Sequence, residues 1–166
     1  MRFAVLALLF LIWIIGLVEL EHDWSSSMTH TRTDTSAASA AQMFVAYRDA
    51  TLTYLEDNPD VPATSGTIPT ASLPLPTELI AAQLPASITN YVVVSGSTRT
   101  VYVWENAVPG IVQAWNQEFP GDESFGTVTG LTPLEWVSAA GGVMSAIPAT
   151  VPALAGDTIS VFQIGE

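Results

Sequence analysis

The sequence predicts an α+β protein: a hydrophobic N-terminal helix that crosses a membrane, then a helix packed on an antiparallel β-sheet, with a second short helix. Three observations carry this. Residues 3–18 (FAVLALLFLIWIIGLV) contain no charge, no proline and no polar side chain. Residues 36–57 repeat apolar positions at three- and four-residue steps, as a one-sided helix does. From residue 88 onward, short runs of β-branched and aromatic residues alternate with Gly and Pro, the pattern of strands joined by tight turns. A leading helix followed by short strands places the helix on one face of an antiparallel sheet.

The N-terminal run has to leave water. At about 1.5 Å per residue its sixteen residues span about 24 Å, against a hydrocarbon core of about 30 Å. Arg2 and the amino terminus can snorkel at one end, with Glu19 in the headgroup zone at the other. Phe3, Leu8, Trp13 and Val18 are the expected membrane-embedded side chains along this stretch. The exit (residues 16–23, GLVELEHD) lacks the paired small residues of a signal-peptidase site, which favours an uncleaved anchor over residues 1–22. Arg2 precedes the run and Glu19, Glu21 and Asp23 follow it. The expected topology is single-pass, with the N-terminus cytoplasmic and the remainder exported. Trp24 suits the outer interface.

Composition narrows what the exported part does. The chain has 166 residues and a net charge of -12; its basic residues are Arg2, Arg32, Arg48 and Arg99, with no lysine. Such a surface repels phosphate backbones, so nucleic acid is excluded as a partner. There is no cysteine, hence no thiol chemistry and no disulfide. Residues 23–35 (DWSSSMTHTRTDT) read as a polar linker, and residues 36–166 as one domain large enough to build a core. His22 and His30 match no zinc spacing, so no metal is expected.

Within the domain, Thr35 or Ser36 caps the first helix and Asn58-Pro59 stops it. Ala37, Ala40, Ala41, Phe44, Tyr47, Thr51, Leu52 and Leu55 fall on one arc. Phe44 and Tyr47 are its large aromatic members, placed either to cover a sheet or to pack on a partner. Five prolines between residues 62 and 85 exclude long regular elements there, leaving a short edge strand or turn over 67–75 and a helical turn over 77–84. Residues 88–95 (ITNYVVVS) and 100–105 (TVYVWE) flank Gly96-Ser97-Thr98-Arg99 and predict a hairpin. Its strands are apolar on both faces, so each face needs a cover, and Tyr102 and Trp104 are further candidates for partner packing. The first helix can take one face and an amphipathic helix over 109–119, with Ile111, Val112, Trp115 and Phe119 on one side, the other. Residues 125–130 and 158–164 predict strands, 133–137 is indeterminate, 139–143 is a turn or bulge, and Pro148 and Pro152 break the stretch between. No catalytic constellation is found: the serines of the linker lack a base in the domain, and Glu56/Asp57 and Asp122/Glu123 sit beside helix stops where carboxylates are solvated. The expectation is a protein that is not an enzyme and has no cofactor.

Taken in order, the apolar N-terminal segment, Met43-Phe44-Val45-Ala46-Tyr47-Arg48, Asn58-Pro59, Gly66-Thr67-Ile68-Pro69, Leu73-Pro74-Leu75-Pro76, Val101-Tyr102-Val103-Trp104 and Ile147-Pro148-Ala149 before the last strand resemble the PilM family. These are the small inner-membrane proteins of thin, type IV conjugative pilus systems, unrelated to the actin-like cytoplasmic protein that shares the name. The resemblance implies a non-enzymatic pilus-biogenesis component with a pilin-like layout, a signal anchor and a periplasmic domain that docks pilus-assembly proteins or pilins. The alternatives are a minor pilin within the fibre and an unrelated exported binding domain. A prepilin carries its apolar segment after the cleavage glycine, whereas here it lies before Gly16.

Overall fold

The computed structural model describes residues 36–77, 84–130 and 132–165. The expected membrane helix with Phe3, Leu8, Trp13 and Val18, the linker, and the body of the helical turn expected over 77–84 lie outside them. Among the described residues no helix is long and apolar enough to cross a membrane. Residues 37–166 form one compact unit.

The first helix, α1, runs through residues 36–57. It buries Ala37, Ala40, Ala41, Phe44, Tyr47, Ala50, Thr51 and Leu55. Leu52, expected inside, is half-exposed at the edge of the arc. Ala50 at the opposite edge is buried instead, beside Pro74 and Pro76 of the proline-rich loop. The six strands are β1 (Thr89–Ser95), β2 (Thr98–Glu105), β3 (Phe125–Val128), β4 (Glu135–Ser138), β5 (Val143–Ala146) and β6 (Thr158–Ile164), with α2 (Ile111–Glu118) between β2 and β3. They form one sheet in the order β1-β2-β6-β3-β4-β5, antiparallel throughout. The hairpin is tighter than the sequence suggested. Ser95 pairs with Thr98, so the loop is Gly96-Ser97 alone, and Gly96 at φ 63° takes the first loop position that a type II′ turn reserves for glycine.

Both faces of the sheet are covered, though not as expected. Val92, Val101, Val103 and Phe125 pack under α1 and also under α2, through Ile111 and Trp115. The two helices therefore share one face. The opposite face, with Tyr102, Trp104, Val128, Trp136 and Ile159, is covered by Ile147, Val151 and Ala153 of the segment between β5 and β6. Pro148 and Pro152 keep that segment from becoming a helix or strand, but an irregular segment that lays down three apolar side chains still removes the face from water. The apolar periodicity of α2 is real; it says which side of the helix is buried, not which face of the sheet receives it.

The free edge of β1 is closed by the proline-rich loop. Gly66 and Val92 exchange backbone hydrogen bonds of 2.9 and 2.8 Å, and the Val94 N–H donates to the Ser65 hydroxyl. The short strand or turn expected over 67–75 is this single bridge followed by a 3₁₀ turn, Thr70–Ser72. Asn90 locks it in place. Its side chain accepts from the Ile68 N–H at 2.8 Å and donates to the Ile68 carbonyl at 3.0 Å and to the Tyr47 hydroxyl at 2.7 Å. A fully buried amide with its bonds satisfied fixes the loop, the sheet edge and α1 against one another.

Candidate functional site beneath the short helix

The chemistry-bearing side chains of the domain gather in the layer between the helices and the sheet. Strand pairing sets the geometry. Glu105 of β2 lies opposite Thr158 of β6, which lies opposite Thr127 of β3. Cross-strand partners project to the same face, and alternation along β2 puts Glu105 with Val101 and Val103, on the helix side. The three residues thus form a polar row at one end of an otherwise apolar face. Thr127 and Thr158, with Gly156, border an open cavity of about 560 Å³ whose other wall comes from α2 and the loop before it, including Ile111, Gln113, Asn116 and Gln117. That volume falls in the range of small-ligand sites. The residues lining the cavity include no charged side chain, in a chain of net charge -12.

Glu105 stands behind this row and is fully buried. Neither of its carboxyl oxygens accepts a hydrogen bond, and burial pushes its pKa up to about 7. The Ser160 hydroxyl and the Trp115 indole N–H, both buried, also lack partners. Ser160 is diagonal to Glu105 across the β2–β6 ladder and directly opposite Phe125, on which Trp115 stacks at 3.9 Å between ring centroids and 7° between planes. Four orphaned polar atoms therefore lie on the side of the sheet that α2 covers. Buried polar groups are nearly always paired, and a carboxyl is the costliest exception.

Beside this unpaired region is a fully paired one. Arg48 of α1 bonds Asp49 at 3.1 Å and Asp122, in the turn before β3, at 3.2 Å, and its guanidinium lies 5.1 Å from the centre of the Trp115 ring. Burial alone would raise the pKa of Asp122, but hydrogen bonds from the Ser124 hydroxyl and N–H and the nearby Arg48 charge outweigh it and hold the carboxyl below its ordinary value. The ion pair and the cation–π contact tie α1, α2 and the start of β3 together.

A carboxyl near pKa 7 is in the range of a general acid or base, but a residue sealed from solvent meets no substrate while the structure stays closed. No group of three or more His, Cys, Asp or Glu able to hold a metal occurs among the described residues. The four aromatic side chains singled out for partner packing are inside: Phe44 and Tyr47 under the sheet, Tyr102 and Trp104 beneath the segment between β5 and β6. Glu105 escaped the sequence reading because a carboxylate ending a strand normally marks the chain's return to water. The signal available was its even spacing from Val101 and Val103.

The PilM family model matches residues 10–159, most of the chain. No curated protein matches. Among solved structures, the crystal structure of the protein PilM from Escherichia coli B7A is similar, with 21% identity, a TM-score of 0.54, and coverage of 77% of this chain and 92% of that one. At that identity the likeness concerns the fold: the same α+β arrangement serves both chains. With the family model spanning both described helices and five of the six described strands in full, the chain belongs to the PilM family, the small proteins of that name associated with conjugative pili.

Proposed function

We propose that this protein is a non-enzymatic component of thin, type IV conjugative pilus biogenesis. Residues 1–22 anchor it in the bacterial inner membrane as a single-pass helix with the N-terminus cytoplasmic, residues 23–35 are a polar linker, and residues 36–166 are a periplasmic domain that docks pilus-assembly proteins or pilins. The family match over residues 10–159 carries the reading. The charge order around residues 3–18 supports the topology, and the absence of lysine supports a partner other than a polyanion. Because Phe44, Tyr47, Tyr102 and Trp104 are packed inside, docking is assigned to the surface that surrounds them, with the cavity beneath α2 as its centre.

The test is made in cells that assemble the pilus. The full chain should fractionate with the inner membrane at its uncleaved mass and be cut by protease added to spheroplasts. A photo-crosslinker placed at Gln113 should capture a pilus protein, and deletion should abolish piliation. Pili of normal number in the deletion strain would overturn the assignment, and a mass lacking the first sixteen residues would convert the anchor into a processed pilin.

A further inference from the structure

We propose that the cavity beneath α2 is a receptor for a single cationic side chain, lysine or arginine, presented by a partner protein, with Glu105 as its buried counter-charge. The inference rests on the docking reading for the source of the cation, and on the geometry for its chemistry.

Three observations converge. The first is the orphaned carboxyl: Glu105 is wholly buried with both oxygens unpaired, next to Thr158 on the row that borders the cavity. Glu105 does not itself line the cavity, but its cross-strand partner Thr158 does; adjacent strands lie roughly 5 Å apart, so a side chain that parts α2 from β6 at Thr158 meets the carboxyl one strand further in. The second is the lining. Gln113, Asn116, Gln117, Thr127 and Thr158 supply uncharged acceptors, while Ile111 and Val108 supply apolar contact. That combination suits the methylene stem and the donors of a long cationic side chain. The third is supply. The chain has no lysine, and the two arginines among the described residues are occupied elsewhere. Arg48 is held by Asp49, Asp122 and Trp115, and Arg99 donates to the carbonyls of Leu55, Asn58 and Val61. An ion pair at Glu105 needs a cation brought from outside, and a domain this acidic draws basic partners toward it.

The site is tested on the full chain in detergent micelles, using the tripeptides acetyl-Gly-Lys-Gly-amide and acetyl-Gly-Arg-Gly-amide with acetyl-Gly-norleucine-Gly-amide as the uncharged control. Binding is followed by NMR of the Glu105 side-chain carboxyl carbon and of the Gln113, Asn116 and Gln117 amides. The cationic peptides should bind at least tenfold more tightly than the norleucine peptide and should move the Glu105 carbon to its ionised position at pH 6. Glu105→Gln should erase the tenfold preference while leaving norleucine binding unchanged. Equal affinity for all three peptides, or a preference for lysine that survives Glu105→Gln, overturns the proposal, the latter by assigning the effect to surface acids. Failure of the docking reading looks different: the peptides bind at Glu105, but a crosslinker at Gln113 captures no pilus protein.

Discussion

Replacing Glu105 by Gln should make the protein more stable at alkaline pH and remove most of its pH dependence near neutrality. The carboxyl titrates at about 7 in the folded chain against an ordinary 4.5. The folded state therefore holds a proton that the unfolded state has released, and stability falls as pH rises between those values. A difference of about 2.5 units at 1.36 kcal/mol each amounts to about 3 kcal/mol, fully present below pH about 4.5 and gone above pH about 7. The amide has no proton to lose. Neither carboxyl oxygen has a hydrogen bond to forfeit, and the extra buried donor lowers the whole curve by about 1 kcal/mol without tilting it. Urea unfolding followed by fluorescence of Trp104, Trp115 and Trp136 measures this directly at pH 5, 6, 7 and 8. The wild-type chain should lose about 2 to 3 kcal/mol across the series and the variant should lose little of it; the gap at pH 8 corresponds to roughly 5 to 10 °C in Tm. Parallel curves for the two proteins would refute the reasoning, because they would show that Glu105 is paired or solvated in the folded state.

Arg48→Met keeps the apolar stem but removes the Asp122 pair and the charge over Trp115; thermal unfolding should show a loss of about 1–3 kcal/mol. The stability that Asp122 contributes is present above its ordinary pKa of 3.8 and lost as pH falls through its lowered folded value, so the variant should lose less below pH about 4 than the wild-type chain. Asn90→Ala strands the Ile68 N–H and carbonyl; it should cost about 2–3 kcal/mol and speed proteolysis between residues 61 and 77. Gly126→Ala has no room, since the new methyl would collide with the Val137 carbonyl in the neighbouring strand. It should lower Tm by well over 5 °C, and hydrogen exchange should place the damage at β3–β4.

The sequence spoke most clearly where one physical pattern acted alone. The last strand, residues 158–164, was readable to the residue because β-branched and aromatic side chains crowd seven positions next to a glycine at residue 156. The arc of α1 was readable because a helix on a sheet buries one side and its period exposes which. β4 and β5 were not, since four-residue strands with Glu135 and Ser145 among them carry too few apolar positions for alternation to show. The cover of the second face was missed because Ile147, Val151 and Ala153 act from an irregular segment that has no period. The site beneath α2 was hidden for a related reason: Glu105, Thr158 and Thr127 are far apart in the chain, and only the ladder β2-β6-β3 puts them in a row. Membership of the PilM family could be reached from the order of several weak motifs, none of which describes that row.

The position of β6 has a consequence for how the chain is made. The last of the described strands, residues 158–164, is third in the sheet, between β2 and β3, and among the described strands it alone joins the hairpin β1–β2 to the meander β3–β5. Until residues 158–164 have left the ribosome and any translocation channel, the two half-sheets have no shared ladder and Val101, Val103 and Phe125 cannot be sealed beneath the helices. Loop closure over about fifty residues between β2 and β6 makes that final step slow as well as late. The two half-sheets therefore stay separate until residues 158–164 are free to pair with both, and the core between helices and sheet closes in that one step.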